Sequence, residues 1–120
     1  MEDSINAVFA SLKELAKNKS LISYDELIHK ANLDSDDVLF VALNKISRVC
    51  EAKKYPPITA IVLRDEDLIP GEDFWRNQDC RYIADKDSWW ALRIRDVFLF
   101  DWDITKSDIS KASVKRIMNL

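Results

Sequence analysis

Three apolar stripes of helical period, each opened by a capping signal, fill residues 4–54, and nothing after residue 57 keeps that period for as long. In Ser4–Asn18, Ile5, Val8, Phe9, Leu12, Leu15 and Ala16 recur every three to four residues, the spacing of an amphipathic helix, with Asp3 or Ser4 as its cap. Ser23-Tyr24-Asp25-Glu26 is a Ser-x-x-Glu capping box, in which the hydroxyl and the carboxylate satisfy amide donors left open at a helix start. It predicts a short second helix to about Lys30 that buries Leu27, Ile28 and Ala31. Asp34-Ser35-Asp36-Asp37 opens a third, with carboxylates at the positive pole, Val38, Leu39, Ala42, Leu43, Ile46, Val49 and Cys50 as its stripe, and Lys53 and Lys54 at the negative pole. Tyr55-Pro56-Pro57 ends it.

The remainder reads differently. Ile58–Leu63 is a short β-branched apolar run between Pro57 and a charged cluster, the pattern of a buried strand. Arg64–Asp87 breaks pattern and reads as a long surface excursion. Asp87–Arg95 fits a short helix or an alternating strand, Val97–Trp102 reads as a strand, and Ser107–Asn119 carries Ile109, Val114, Ile117 and Met118 at helical spacing. The expected fold is a single α+β domain over residues 1–120. Three N-terminal helices would precede a small antiparallel sheet with a long inserted loop and a C-terminal helix, the order of a winged-helix domain.

Composition narrows the function classes. One glycine, Gly71, removes the Gly-rich phosphate loops of nucleotide-binding proteins. Two cysteines, Cys50 and Cys80, and one histidine, His29, fall short of the four ligands of a structural zinc site and make no disulfide framework. No run approaches the ~20 apolar residues of a membrane helix, and the acidic, polar start Met1–Asn6 is unlike a secretory signal, so a cytoplasmic location is expected. Any imidazole-based nucleophilic mechanism would have to use His29, which has no nucleophile or orienting carboxylate near it in sequence. Cys50 lies on an apolar stripe and reads as core. Cys80, between Arg76 and Arg81, reads as a half-buried loop cysteine, with a reactive thiol as the alternative. The carboxylates after Arg64 match no calcium-loop spacing, and Glu51-Ala52-Lys53, similar to the Glu-x-Lys of metal-dependent nucleases, falls at a helix end where those enzymes use a strand. The expectation is a protein with no enzymatic activity, no cofactor and no metal.

Charge and aromatics carry the positive signal. The net charge of −3 hides a middle segment, residues 64–87, with eight acidic and four basic groups. Beside Asp65, Glu66, Asp67, Glu72 and Asp73 stand Phe74 and Trp75, and Trp89-Trp90 follows. Phe98, Phe100 and Trp102 read as core. Adjacent aromatic pairs, however, do not readily turn both rings into one core, and an apolar anchor beside an acidic rim is how many protein-binding surfaces are composed. A concave aromatic pocket for a small ligand would draw on the same residues.

Ile22-Ser23-Tyr24-Asp25-Glu26-Leu27, a helix, and then Pro57-Ile58-Thr59-Ala60-Ile61-Val62 resemble the winged-helix domain of alkylguanine-DNA alkyltransferases and their alkyltransferase-like relatives, over about Ser4–Gly71. That family carries a Pro-Cys-His-Arg nucleophile motif just after this strand. The chain has Val62-Leu63-Arg64-Asp65 instead, so the resemblance implies a fold without alkyl transfer. The phrases Tyr55–Leu63 and Leu68-Ile69-Pro70-Gly71-Glu72-Asp73-Phe74 also resemble a widespread type of small bacterial and phage protein, which implies such an origin and no particular activity.

Two readings follow. The first is a non-enzymatic interaction module, an acidic neutraliser of the immunity-protein, antitoxin or anti-defence kind, binding a basic toxin, nuclease or defence enzyme through Asp65, Glu66, Asp67, Glu72, Asp73, Phe74, Trp75 and Trp89. The alternative is a winged-helix DNA-binding or regulatory protein gripping phosphates through Lys45, Arg48, Lys53 and Lys54. Against it stand Asp34, Asp36 and Asp37 in the turns that would meet DNA.

Overall fold

The computed structural model describes residues 2–71, 74–75 and 85–105. Within them the chain is α+β and mostly helical: α1 (Glu2–Lys17), β1 (Ile22–Ser23), α2 (Tyr24–Lys30), α3 (Asp36–Lys53), a 3-10 turn (Ile58–Ile61), β2 (Val62–Leu63), α4 (Lys86–Leu99) and a second 3-10 turn (Trp102–Thr105).

The capping signals find their structural counterparts. The Ser23 hydroxyl accepts from the Glu26 amide at 3.3 Å and donates to the Glu26 carboxylate at 3.2 Å, and α2 ends at Lys30. Ser35 caps α3, its hydroxyl accepting from the Val38 amide at 3.4 Å. Lys54, at φ 60°, closes α3 in the left-handed conformation before the prolines are reached. α1 begins at Glu2, one or two residues ahead of the expected caps, so Asp3 and Ser4 sit in its first turn.

α1 packs on α3, and the 3-10 turn Ile58–Ile61 sits against α1, α3 and α4. Ile58, Ala60, Ile61 and Val62 are buried, joining Val8, Leu12, Leu27, Leu39 and Ile46 in one core. A run buried on all sides shows no period, which is why the expected strand over Ile58–Leu63 is mostly a 3-10 turn with a ladder of two residues only. The buried Ser47 and Thr59 hydroxyls share a 2.8 Å hydrogen bond that ties α3 to that turn. A void of about 20 Å³ adjoins them, large enough for one water. Ser47→Ala should therefore cost only about 1 kcal/mol in urea unfolding, because water can replace the lost partner of Thr59. A loss above about 3 kcal/mol would mean the void stays dry.

Further expectations are corrected. The sheet is parallel, not antiparallel: Ile22 pairs with Val62 and Ser23 with Leu63, with α2 and α3 as the crossover. A two-residue segment inside the capping-box region gives no strand signal of its own, so β1 was not anticipated. The strand expected over Val97–Trp102 is the end of α4, followed by extended Phe100 and the second 3-10 turn. Asp85 caps α4, accepting from the Ser88 amide at 3.1 Å and the Ser88 hydroxyl at 2.7 Å, and these bonds hold its carboxyl below the usual range. α4 buries Val97 fully and Trp89, Trp90, Ile94 and Phe98 partly, yet it leaves Leu92 and Leu99 exposed. Apolar residues on both faces blur the helical period. The antiparallel wing hairpin of a winged helix is thus not formed among the described residues. The expected helix over Ser107–Asn119 lies outside them.

Candidate functional site

The parallel ladder decides what meets at its C-terminal end. Because Ser23 pairs with Leu63, the residues that leave the two strands, Tyr24-Asp25 and Arg64-Asp65-Glu66, emerge side by side. α3 enters the same place: Asp36 and Phe40, one turn apart, share a face, and the Phe40 ring meets the Tyr24 ring edge to face at 5.5 Å and 74°. Together these seven residues line an open cavity of about 510 Å³.

Its electrostatics are one-sided. Arg64 is the basic residue of the lining, and its guanidinium is engaged by its own loop, with Nη2 2.9 Å from Asp67 Oδ2 and Nε 3.3 Å from Glu66 Oε2, the latter without hydrogen-bond alignment. The loop is closed by Arg64 N–H donating to the Ile69 carbonyl at 2.8 Å and by Leu68 N–H donating to the Arg64 carbonyl at 3.0 Å. Asp25, Asp36 and Asp65 make no ion pair among the described residues. Asp25 and Asp36 also stand in the first turns of α2 and α3, where they favour the helix dipoles, so part of this acidity serves local structure. Asp65 has no such role.

Beside the cavity, Phe74, Trp75 and Trp89 form a cluster with ring centroids 5.2–6.3 Å apart. Phe74 is 7% exposed and lines the small void together with Tyr24 and Phe40, the two rings that this void shares with the open cavity. Trp75 and Trp89 are half-buried, and each is overlain by the chain's own cation, Lys86 at 5.9 Å and Arg93 at 5.6 Å. Trp90 turns inward, its indole N–H donating to the Ala60 carbonyl at 2.9 Å.

Of the residues singled out from sequence, Asp65 and Glu66 line the cavity, Asp67 is held by Arg64, and Phe74, Trp75 and Trp89 lie together. Glu72 and Asp73 fall outside the described residues, as does Cys80. Sequence reasoning missed Tyr24, Asp25, Asp36 and Phe40. The first three were visible only as capping residues, and no local signal announces that a parallel ladder brings them to Asp65.

Other chemistry is sparse. His29 is exposed on α2. Among the described residues no three His, Cys, Asp or Glu side chains come close enough together to hold a metal ion, and no helix is long and apolar enough to cross a membrane. Cys50 is buried, and burial pushes its thiol up to about 11 against an ordinary 9.0. Since the unfolded chain loses this proton first, the contribution is intact below pH 9 and is lost as pH rises toward 11. Urea midpoints of the wild type should fall over that window more steeply than those of Cys50→Ala. Parallel curves would mean that the thiol ionises as freely in the fold as outside it.

No family model, curated protein or solved structure matches the chain.

Proposed function

We propose that this is a non-enzymatic interaction module that neutralises a basic partner protein, in the manner of an immunity protein or antitoxin acting in the cytoplasm. One observation carries the reading: Asp25 of α2, Asp36 of α3 and Asp65 of the loop after β2, which make no ion pair among the described residues, line one open cavity with an aromatic floor. A surface of this kind attracts a basic partner at long range and offers it apolar contact on arrival. Neighbouring Trp75 and Trp89 extend the contact area. The winged-helix DNA reading is weaker, because the start of α3, which would enter a groove, opens into this acidic mouth, where phosphates would be repelled.

Capture from an extract of the source organism, with tagged wild type against Trp75→Ala/Asp65→Lys, tests the proposal. A basic protein held by the wild type at low salt should bind the double variant at least about tenfold more weakly. Equal retention of the same proteins by both would remove the site from the reading. A low-salt gel shift with random duplex should show no complex, and a shift with a steep salt dependence would favour DNA instead.

A further inference from the structure

We propose that the cavity over Tyr24 and Phe40 is a seat for one arginine side chain of the basic partner, with lysine a poorer occupant. This rests on the reading of the acidic face as a docking surface, and it names the group that the surface receives.

The shape and chemistry of the cavity select among cations. A bare metal ion is a poor fit, since among the described residues no three ligating side chains converge closely enough to hold one. The acids are instead spread around the rim on three elements, Asp25 on α2, Asp36 on α3 and Asp65 in the loop. That arrangement suits a cation whose donors diverge. A guanidinium carries five N–H donors in a planar fork, whereas a lysine ammonium is a compact point charge that can approach one or two of these carboxylates at a time. The floor favours the same choice. Tyr24 and Phe40 cross at 74°, so a flat group lying on the face of one ring meets the other as a wall. Arginine gains from stacking as well as from charge in such a corner, and it is less strongly hydrated than lysine. The volume, about 510 Å³, lies within the about 300–1,000 Å³ of sites that enclose small ligands, so a long side chain can enter with its stem.

The rest of the surface sharpens the choice by contrast. The second aromatic cluster, Trp75 with Trp89, already lies beneath Lys86 and Arg93 of the same chain. At the cavity the chain's own guanidinium, Arg64, is taken up by Glu66 and Asp67, while Asp25, Asp36 and Asp65 make no ion pair among the described residues. Among the described residues no cation of the chain complements these three carboxylates, and an arginine of the partner would.

The experiment uses two defined probes on the full chain, fluorescein-labelled nona-arginine and nona-lysine, followed by anisotropy at about 20 mM salt, where screening is weak. Nona-arginine should bind about tenfold more tightly. Phe40→Leu, which keeps apolar bulk and removes the ring, should erase that preference while leaving nona-lysine within about twofold of its wild-type affinity. Asp36→Asn and Asp65→Asn should weaken both peptides. Equal affinity for the two peptides, or a preference that survives Phe40→Leu, overturns the arginine seat. In that case the docking reading still stands if the Asn variants weaken both peptides. If neither peptide binds the wild type, the seat and the docking face fall together. Circular dichroism of each variant separates a lost seat from a lost fold, and Phe40→Tyr, which keeps a ring, should restore the preference.

Discussion

Trp102→Ala should destabilise the protein by about 3–5 kcal/mol, the largest effect expected of any single substitution here. The side chain is 1% exposed and joins elements far apart in sequence. Its ring meets Phe9 of α1 at 6.3 Å and 87°, Tyr55 just beyond α3 at 6.2 Å, and Phe100 at 4.5 Å. The indole N–H donates to the Val97 carbonyl at 2.8 Å, near the C-terminal end of α4, and Phe100 N–H donates to the Asp96 carbonyl at 3.1 Å. Removing the ring opens a cavity between three helices and takes away that donor. A domain of this size has about 5–15 kcal/mol in hand, so a large part of the margin would go. Trp102→Phe should lose less, about 1–2 kcal/mol, since most of the ring contact survives and the hydrogen bond does not. Urea unfolding decides the matter. A loss under about 1 kcal/mol for Trp102→Ala would mean that the second 3-10 turn does not hold α4 to α1.

How far the sequence foretold the structure depended on whether a signal was local. Ser23 and Ser35 announce their helices because a hydroxyl two or three residues ahead of a free amide is a short-range arrangement, and both bonds are made. Asp85-x-x-Ser88 is a signal of the same kind for α4. It went unread because Leu92 and Leu99 put apolar side chains on the solvent face and let Val97–Trp102 pass for a strand. Ile58–Leu63, expected as a buried strand, is buried but is a strand only at Val62–Leu63, for the opposite reason: enclosed on every side, it has no face from which to read a period. The parallel ladder was out of reach, since pairing Ile22 with Val62 is a long-range choice made by the packing of α2 and α3. The candidate site follows the same division. The acids of Asp65–Asp67 are visible as composition, whereas Tyr24, Asp25, Asp36 and Phe40 join them only once that ladder exists.

Gly71, the one glycine of the chain, should prove to be needed for space and not for backbone freedom. Its φ is not positive, so by backbone entropy alone Gly71→Ala would stabilise by about 0.4–1 kcal/mol. An added Cβ, however, would stand 2.2 Å from the Tyr24 Oη, far inside contact distance. Tyr24 has little room to yield, because its ring lies against Phe40 and its backbone begins α2 directly after the ladder. Overpacking of this sort costs about 1–3 kcal/mol, which outweighs the entropic gain, so the net effect should be a loss. The same displacement would tilt the floor of the cavity and weaken nona-arginine binding. Tyr24→Phe supplies the decisive background. With Oη gone the nearest Tyr24 atom is the ring carbon Cζ at 3.4 Å, an ordinary contact, so Gly71→Ala on Tyr24→Phe should turn neutral or stabilising. The two substitutions should thus couple by more than about 1 kcal/mol in a double-mutant cycle. Additive losses would show that the loop after β2 does not press on Tyr24.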